Sequence, residues 1–419
     1  MNRRRFCGLA LSAAALAGSR SLLLPLHAAP AASPFFFHDG DRVVMIGDSI
    51  TEQHLHSNYV EIYTLSRYPQ ADIVFRNAGI GGDTSAGGNS RTRRDILSFN
   101  PTAVTITFGM NDAGYQVPYN QGRLDAYRTG LQGMMDQLKA AGKVRVAILS
   151  SSPVEKKEDG PALEGYNQSL EKFAETAKDV AGKNGAVFVD QFHPHVAALQ
   201  KARDAAMANR INGGDAVHPG PSGQILMAWA ILKGLNAPAL VSSAEIDAAA
   251  GELVSADNCT VGGMRKMPNG IAFLRTDRAL PFWIPAQARS ILQWAPIVDD
   301  LDRYMLRVRG LPEGSYRLRI DGEAVATVSA ADLAKGYNMA LLTEGPIARQ
   351  AEQVHNAVFA KNQFYHDQVF RGVVLNGAVP EPEKAAVIQR QMQSMPYYEE
   401  AVRNALALRP HFFEVVRGM

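Results

Sequence analysis

Arg42-Val43-Val44-Met45-Ile46-Gly47-Asp48-Ser49-Ile50 is a short apolar run that ends on a glycine and a polar pair. Four consecutive apolar residues, two of them β-branched valines, with no alternating polar position read as a strand covered on both faces. Such strands belong to parallel sheets. The same texture returns at 72–76, 103–108, 144–150 and 186–190. Longer segments of helical pattern, 124–141 and 163–183 among them, lie in between. Strands alternating with helices in this way predict an α/β fold with a parallel sheet sandwiched between helices. Ligand sites in such sheets lie beyond the carboxyl ends of the strands.

The rhythm stops after Gly234, where Asn236-Ala237-Pro238 makes a break. Segments 304–309, 315–320 and 323–328 alternate and are separated by the turns Pro312-Glu313-Gly314 and Asp321-Gly322, a pattern that predicts an antiparallel meander. Helical pattern resumes over 350–370 and 383–408. The break is short and poor in Gly and Ser, so the later residues are expected to pack on the earlier ones instead of hanging on a free linker. Phe364, Phe370, Phe412 and Phe413 need a partner surface in any case.

At the N-terminus Arg3-Arg4-Arg5-Phe6 precedes an apolar run from Cys7 to Gly18, and Ala28, Ala29, Ala31 and Ala32 supply small residues for a peptidase. This is the layout of a cleaved export signal of twin-arginine type, so a periplasmic or secreted protein is expected. The run falls short of the ~20 residues of a spanning helix, and no stable membrane anchor is expected. Losing Arg3, Arg4, Arg5 and Arg20 takes the formal charge from +2 to −2. A near-neutral chain offers no electrostatic case for nucleic acid. Of the two cysteines, Cys7 leaves with the signal, so the mature chain forms no internal disulfide and Cys259 reads as a packed thiol.

Four blocks stand where strands should end. Gly47-Asp48-Ser49-Ile50 places a hydroxyl at a strand-to-helix turn. Asn77-Ala78-Gly79-Ile80-Gly81-Gly82-Asp83 lets backbone N–H groups approach a ligand. Gly109-Met110-Asn111-Asp112 offers a side-chain amide for an oxyanion hole, although Asn-Asp is also common turn chemistry. Asp215-Ala216-Val217-His218 can orient an imidazole as a general base; the same spacing also occurs in surface pairs and metal sites. His193 and His195 have the i, i+2 spacing of a metal pair, but no cysteine or carboxylate cluster accompanies them. His54 and His56 follow Ser49 closely, either lining a pocket or packing inside.

Together, and in this order, the four blocks resemble those of the SGNH (GDSL-type) hydrolases. The resemblance covers roughly residues 40–235. It implies a three-layer α/β/α sandwich with a flavodoxin-like, five-stranded parallel sheet. The chain then divides into a signal over 1–31, a catalytic domain over 35–240 and a C-terminal α+β extension over 241–419, the meander followed by helices. The resemblance implies Ser49 as nucleophile, His218 as base and Asp215 as its orienting acid. The Ser49 N–H, Gly82 (with Gly81 adjacent) and Asn111 fall on the oxyanion-hole positions. No metal and no organic cofactor enters the implied mechanism. The expected partner is a small-molecule or carbohydrate ester. Tyr115 and Tyr119 just beyond Asn111 suit a short acyl group, such as acetyl, on a sugar-like scaffold. Lipase, thioesterase and acyltransferase activities share the same covalent intermediate. A binding module on a degenerate core is the alternative of a different class, and the complete Ser, Gly, Asn, Asp and His set favours the enzyme.

Overall fold

The computed structural model describes residues 34–155, 165–205 and 215–418, and the segment read as an export signal lies outside them. From Phe35 onward these residues form one compact unit. Five strands, β1 (Arg42–Gly47), β2 (Val74–Gly79), β3 (Ala103–Thr107), β4 (Arg145–Leu149) and β5 (Val187–Val189), pair in parallel in the order β2-β1-β3-β4-β5. This is the flavodoxin-like order, whose direction reverses between β1 and β3, and that reversal opens a crevice at their carboxyl ends.

The helices of this part are α1 (Ser49–Glu52), α2 (Leu55–Arg67), α3 (Ser85–Asp95), α4 (Gln121–Ala141), α5 (Tyr166–Asn184), α6 (Phe192–Asp204) and α7 (Pro221–Gly234). Successive strand residues point to opposite faces, so Val43, Met45 and Leu149 join one core with α2, α6 and α7. Val44, Ile46, Val104 and Ile148 join a second core with α4 and α5. Three layers follow directly. One expected boundary moves: β2 begins later and runs through Asn77, Ala78 and Gly79, with Gly47 opposite Gly79. Three residues read as a loop therefore belong to the strand, because pairing with β1 outweighs their weak strand propensity.

The extension begins with β6 (Leu240–Asp247), β7 (Glu252–Asp257), β8 (Cys259–Met267) and β9 (Gly270–Asp277). It continues through α8 (Ile297–Leu301), β10 (Arg303–Arg309), β11 (Ser315–Ile320), β12 (Glu323–Ser329), α9 (Ala330–Lys335) and β13 (Tyr337–Asn338). It closes with α10 (Pro346–Phe364), a π-helical turn Tyr365–Val374, α11 (Glu381–Met392), α12 (Met395–Ala405) and β14 (His411–Arg417). Two sheets form, β13-β10-β6-β7 and β12-β11-β14-β9-β8, and their facing side chains, such as Leu306 and Val308 against Phe273 and Phe413, share a third core. The meander expected over 304–328 is a hairpin only between β11 and β12; β10 pairs in parallel with β6 in the other sheet. Alternation marks a strand with one buried face but does not name its partner.

A buried polar cluster ties the two sheets. Arg275 on β9 donates to Asp277, to Ser242 on β6 and to the Met305 carbonyl on β10, while the Tyr304 hydroxyl donates to Asp277 at 2.7 Å. Cys259 is buried, with its thiol 3.2 Å from the Ser243 carbonyl.

The extension packs on the parallel-sheet part through α10 and α2. Lys361 and Glu61 form a buried ion pair, and Asn362 donates to Asn58 and Glu61, each at 2.7 Å. Phe282, Val354 and Val402 enter the α2–α7 core, and Phe370 enters the opposite one. Among the described residues, no helix is long and apolar enough to cross a membrane.

Candidate active site

The chain turns sharply from β1 into α1 at Gly47, where a Cβ would lie 2.7 Å from the Thr107 carbonyl oxygen. Asp48 then caps α1 by accepting the Ile50 N–H at 2.9 Å. Burial pushes the Asp48 carboxyl up to about 7, with the nearby Asp112 adding to the rise. Ser49 follows, partly exposed at the mouth of the crevice.

The Ser49 Oγ lies 2.8 Å from His218 Nε2. On the other side of the ring, Nδ1 lies 3.0 and 3.2 Å from the two Asp215 oxygens. With the Nδ1 proton directed at this carboxylate, Nε2 accepts the serine O–H, the tautomer that general-base chemistry requires. Asp215 also accepts the backbone N–H groups of Val217 and His218 at 2.8 and 2.7 Å. Burial pushes the Asp215 carboxyl up, yet these bonds and the ring outweigh it and hold it below its ordinary value.

The glycine block reaches the same place through backbone contacts. The Ile80 N–H donates to the Gly47 carbonyl at 3.1 Å. At Gly81 a Cβ would stand 2.9 Å from Glu52 Oε2 on α1, whereas Gly82 has an open surround and a φ of +73°. Asn111 donates its side-chain amide to the Asp83 carbonyl at 2.9 Å, which joins the third block to the turn that carries Gly82. The Tyr115 hydroxyl donates to Asn111 Oδ1 at 3.4 Å, and its ring stacks on Tyr166 with centroids 5.1 Å apart.

Thus Ser49, His218 and Asp215 stand in one hydrogen-bonded chain, and Asn111 is bonded to the Gly82 turn. The histidines set aside above are elsewhere. His193 bonds Asp190 at 2.7 Å and Glu171 at 3.1 Å on the surface. His56 is buried against Gln224 at 2.8 Å, and His54 lies against the His366 ring at 4.5 Å. Burial lowers both His54 and His56 to about 4.

Three supports escaped the reading of the sequence. Arg91, buried on α3, donates to Asp83, to Asp95 and to the carbonyls of Ala78 and Gly47, so one guanidinium clamps the ends of β1 and β2 and the glycine turn. Arg91-Thr92-Arg93-Arg94 looks like a solvated face, and only the helix register singles out its first arginine. Asp112 accepts from Ser85 N–H and O–H and from Gly109 N–H, and burial raises its pKa. Finally, Arg371 of the π-helical turn donates to Glu52 at 2.6 Å, which brings the extension against the helix that carries Ser49.

A serine followed through an imidazole to a carboxylate, at the crevice of a three-layer α/β/α sheet, defines the class: a serine hydrolase acting on ester bonds. Residues 45–225 match the GDSL-like lipase/acylhydrolase family. The chain is 25% identical over 214 residues to an acetylxylan esterase of Geobacillus stearothermophilus, covering 46% of this chain and 93% of that protein. It is also similar, over 91% of its own length and 98% of the other, to a gut microbial diltiazem-metabolizing enzyme, with 25% identity and a TM-score of 0.80. The second likeness takes in most of the extension as well as the sheet.

Proposed function

We propose that the chain removes short acyl groups, acetyl among them, from small-molecule or carbohydrate alcohols, with Ser49 as nucleophile, His218 as base and Asp215 as its orienting acid. The carrying observation is the 2.8 Å contact between Ser49 Oγ and His218 Nε2. Ser49 attacks the ester carbonyl as its proton passes to Nε2. The Ser49 and Gly82 N–H groups and the Asn111 amide hold the resulting oxyanion. Collapse breaks the bond to the alkoxy oxygen, which takes the proton from His218 and leaves as the alcohol. Water, deprotonated by the same imidazole, then releases the acid and restores Ser49.

The acyl and alcohol halves are supported by two considerations. The relative named above acts on acetylxylan by its description, and the exposed Tyr115 ring beside Asn111 offers a flat face to a sugar or small ring. A panel of p-nitrophenyl esters of rising chain length, run beside acetylated xylan, tests the reading. Acetate and other short esters are expected to give the highest kcat/KM, and Ser49→Ala to lose at least about 10³-fold in kcat. A Ser49→Ala variant with a tenth of the activity refutes the nucleophile, and a preference for long chains refutes the substrate class.

A further inference from the structure

Arg76 lies on β2, the edge strand of the parallel sheet, and is only 7% exposed. Its guanidinium sits between two aromatic rings, 5.1 Å from the Phe99 centroid and 4.6 Å from that of Tyr365. One nitrogen donates to the Phe75 carbonyl at 3.0 Å; among the described residues no carboxylate forms an ion pair with the group, and Glu61 and Glu399 act on its charge only from beyond contact. A buried cation with no carboxylate in contact is costly unless something else answers its charge.

The space beside it supplies the setting. A cavity of about 480 Å³ lies between the edge of the sheet and the extension, with Arg76 in its wall. Phe99 from the hydrolase part and Tyr365, Phe370, Ile388 and Met392 from the extension make its apolar lining. Its other two basic groups are already neutralised. Arg94 gives Nε and Nη2 to Asp95 at 2.6 and 2.8 Å, and Lys384 is bonded to Glu381 at 2.6 Å. A mostly apolar pocket of some hundreds of Å³ with one placed polar group is the usual form of a small-molecule site. Ser49, Gly82, Asn111, Asp215 and His218 are not in its lining.

We infer that this cavity is a second ligand site, one that takes an amphiphile with a single carboxylate head: the head pairs with Arg76 between Phe99 and Tyr365, and the hydrocarbon body lies against Phe370, Ile388 and Met392. A guanidinium presents the paired donors that match a carboxylate. A doubly charged phosphate fits less well, because Asp95 and Glu381 also stand in the wall. The ligand would bridge the two parts of the chain, since its charged end rests on β2 and its apolar end on α11.

Decanoate is a suitable probe. Calorimetric titration of the full-length protein is expected to show one saturable site, with 1-decanol binding at least about tenfold more weakly and acetate giving no signal. Arg76→Gln should weaken decanoate by at least about tenfold. Ile388→Trp, which fills the cavity and leaves the arginine in place, should do the same while activity on p-nitrophenyl acetate is kept. If Arg76→Gln proves unstable, Ile388→Trp carries the test alone. Decanoate that fails to bind saturably, binds equally to Ile388→Trp, or binds no better than decanol overturns the inference.

Discussion

Asp112 and Asp215 organise opposite sides of the crevice, yet the first is 6% exposed and the second has a side chain 54% exposed. Asp112 gathers donors from the start of α3, Ser85, as well as from its own loop, Gly109. Asp215 gathers them from its own turn, Val217 and His218. The Asp112 side of the site is therefore part of the packed interior, while the Asp215–His218 side is a self-contained surface turn. Damage to the first should be felt in stability, and damage to the second in chemistry.

The largest effect is expected at the surface turn. Asp215→Ala should lower kcat on p-nitrophenyl acetate by about 10²–10⁴-fold, because the imidazole loses its tautomer and orientation. The same variant should hold its urea-denaturation stability within about 0.5 kcal/mol of the parent, as an exposed position allows. An unchanged kcat would remove Asp215 from the proposed mechanism.

Asp112→Ala should do the reverse. Three donors lose their acceptor in the interior, at a cost of about 2–4 kcal/mol in stability measured by the same denaturation. A variant as stable as the parent would abolish the contrast between the two sides.

The smallest effect separates them by pH. His56, buried on α2, is lowered by burial to about 4 from an ordinary 6.5. The unfolded chain takes up a proton below 6.5 and the folded histidine does not until about 4, so stability falls as the pH drops through that window. Asp48 and Asp302, both raised by burial to about 7, act with the opposite sign: their contribution is complete below 3.8 and is lost as the pH rises through about 7. His56→Gln leaves those groups in place. As the pH is lowered from 6.5 to 4 its stability should therefore fall by less, or rise by more, than that of the parent, and identical slopes would show that His56 binds its proton in the folded state.

What could be read in advance follows the same division between interior and surface. β1, β3 and β4 announce themselves because strands covered on both faces must be apolar throughout, as Val43 to Ile46 are. Ser49 stands where expected, at the end of β1, whereas Asp215 and His218, also expected at a strand end, lie between α6 and α7. By contrast β7, Glu252–Asp257, is exposed along its whole length, so nothing in its pattern marks a strand. β8 carries Gly262 and Gly263 at an irregularity in its pairing with β9 and hides for the same reason. Arg76 and Arg91 were invisible as interior residues, since an arginine looks like a surface residue until the fold closes over it.

The position of β14 also bears on the order in which the extension can be assembled. β8 with β9, and β11 with β12, are hairpins between near neighbours, but the strand that joins them is supplied only after α10, α11 and α12. During ribosomal synthesis the two hairpins therefore wait with bare edges, β9 opposite the place of Phe413 and β11 on its other side, through the translation of the roughly eighty residues between Ser329 and His411 at ~5–20 per second. The late strand is a keystone, and the nascent chain is most open to wrong pairing in the seconds before it is set.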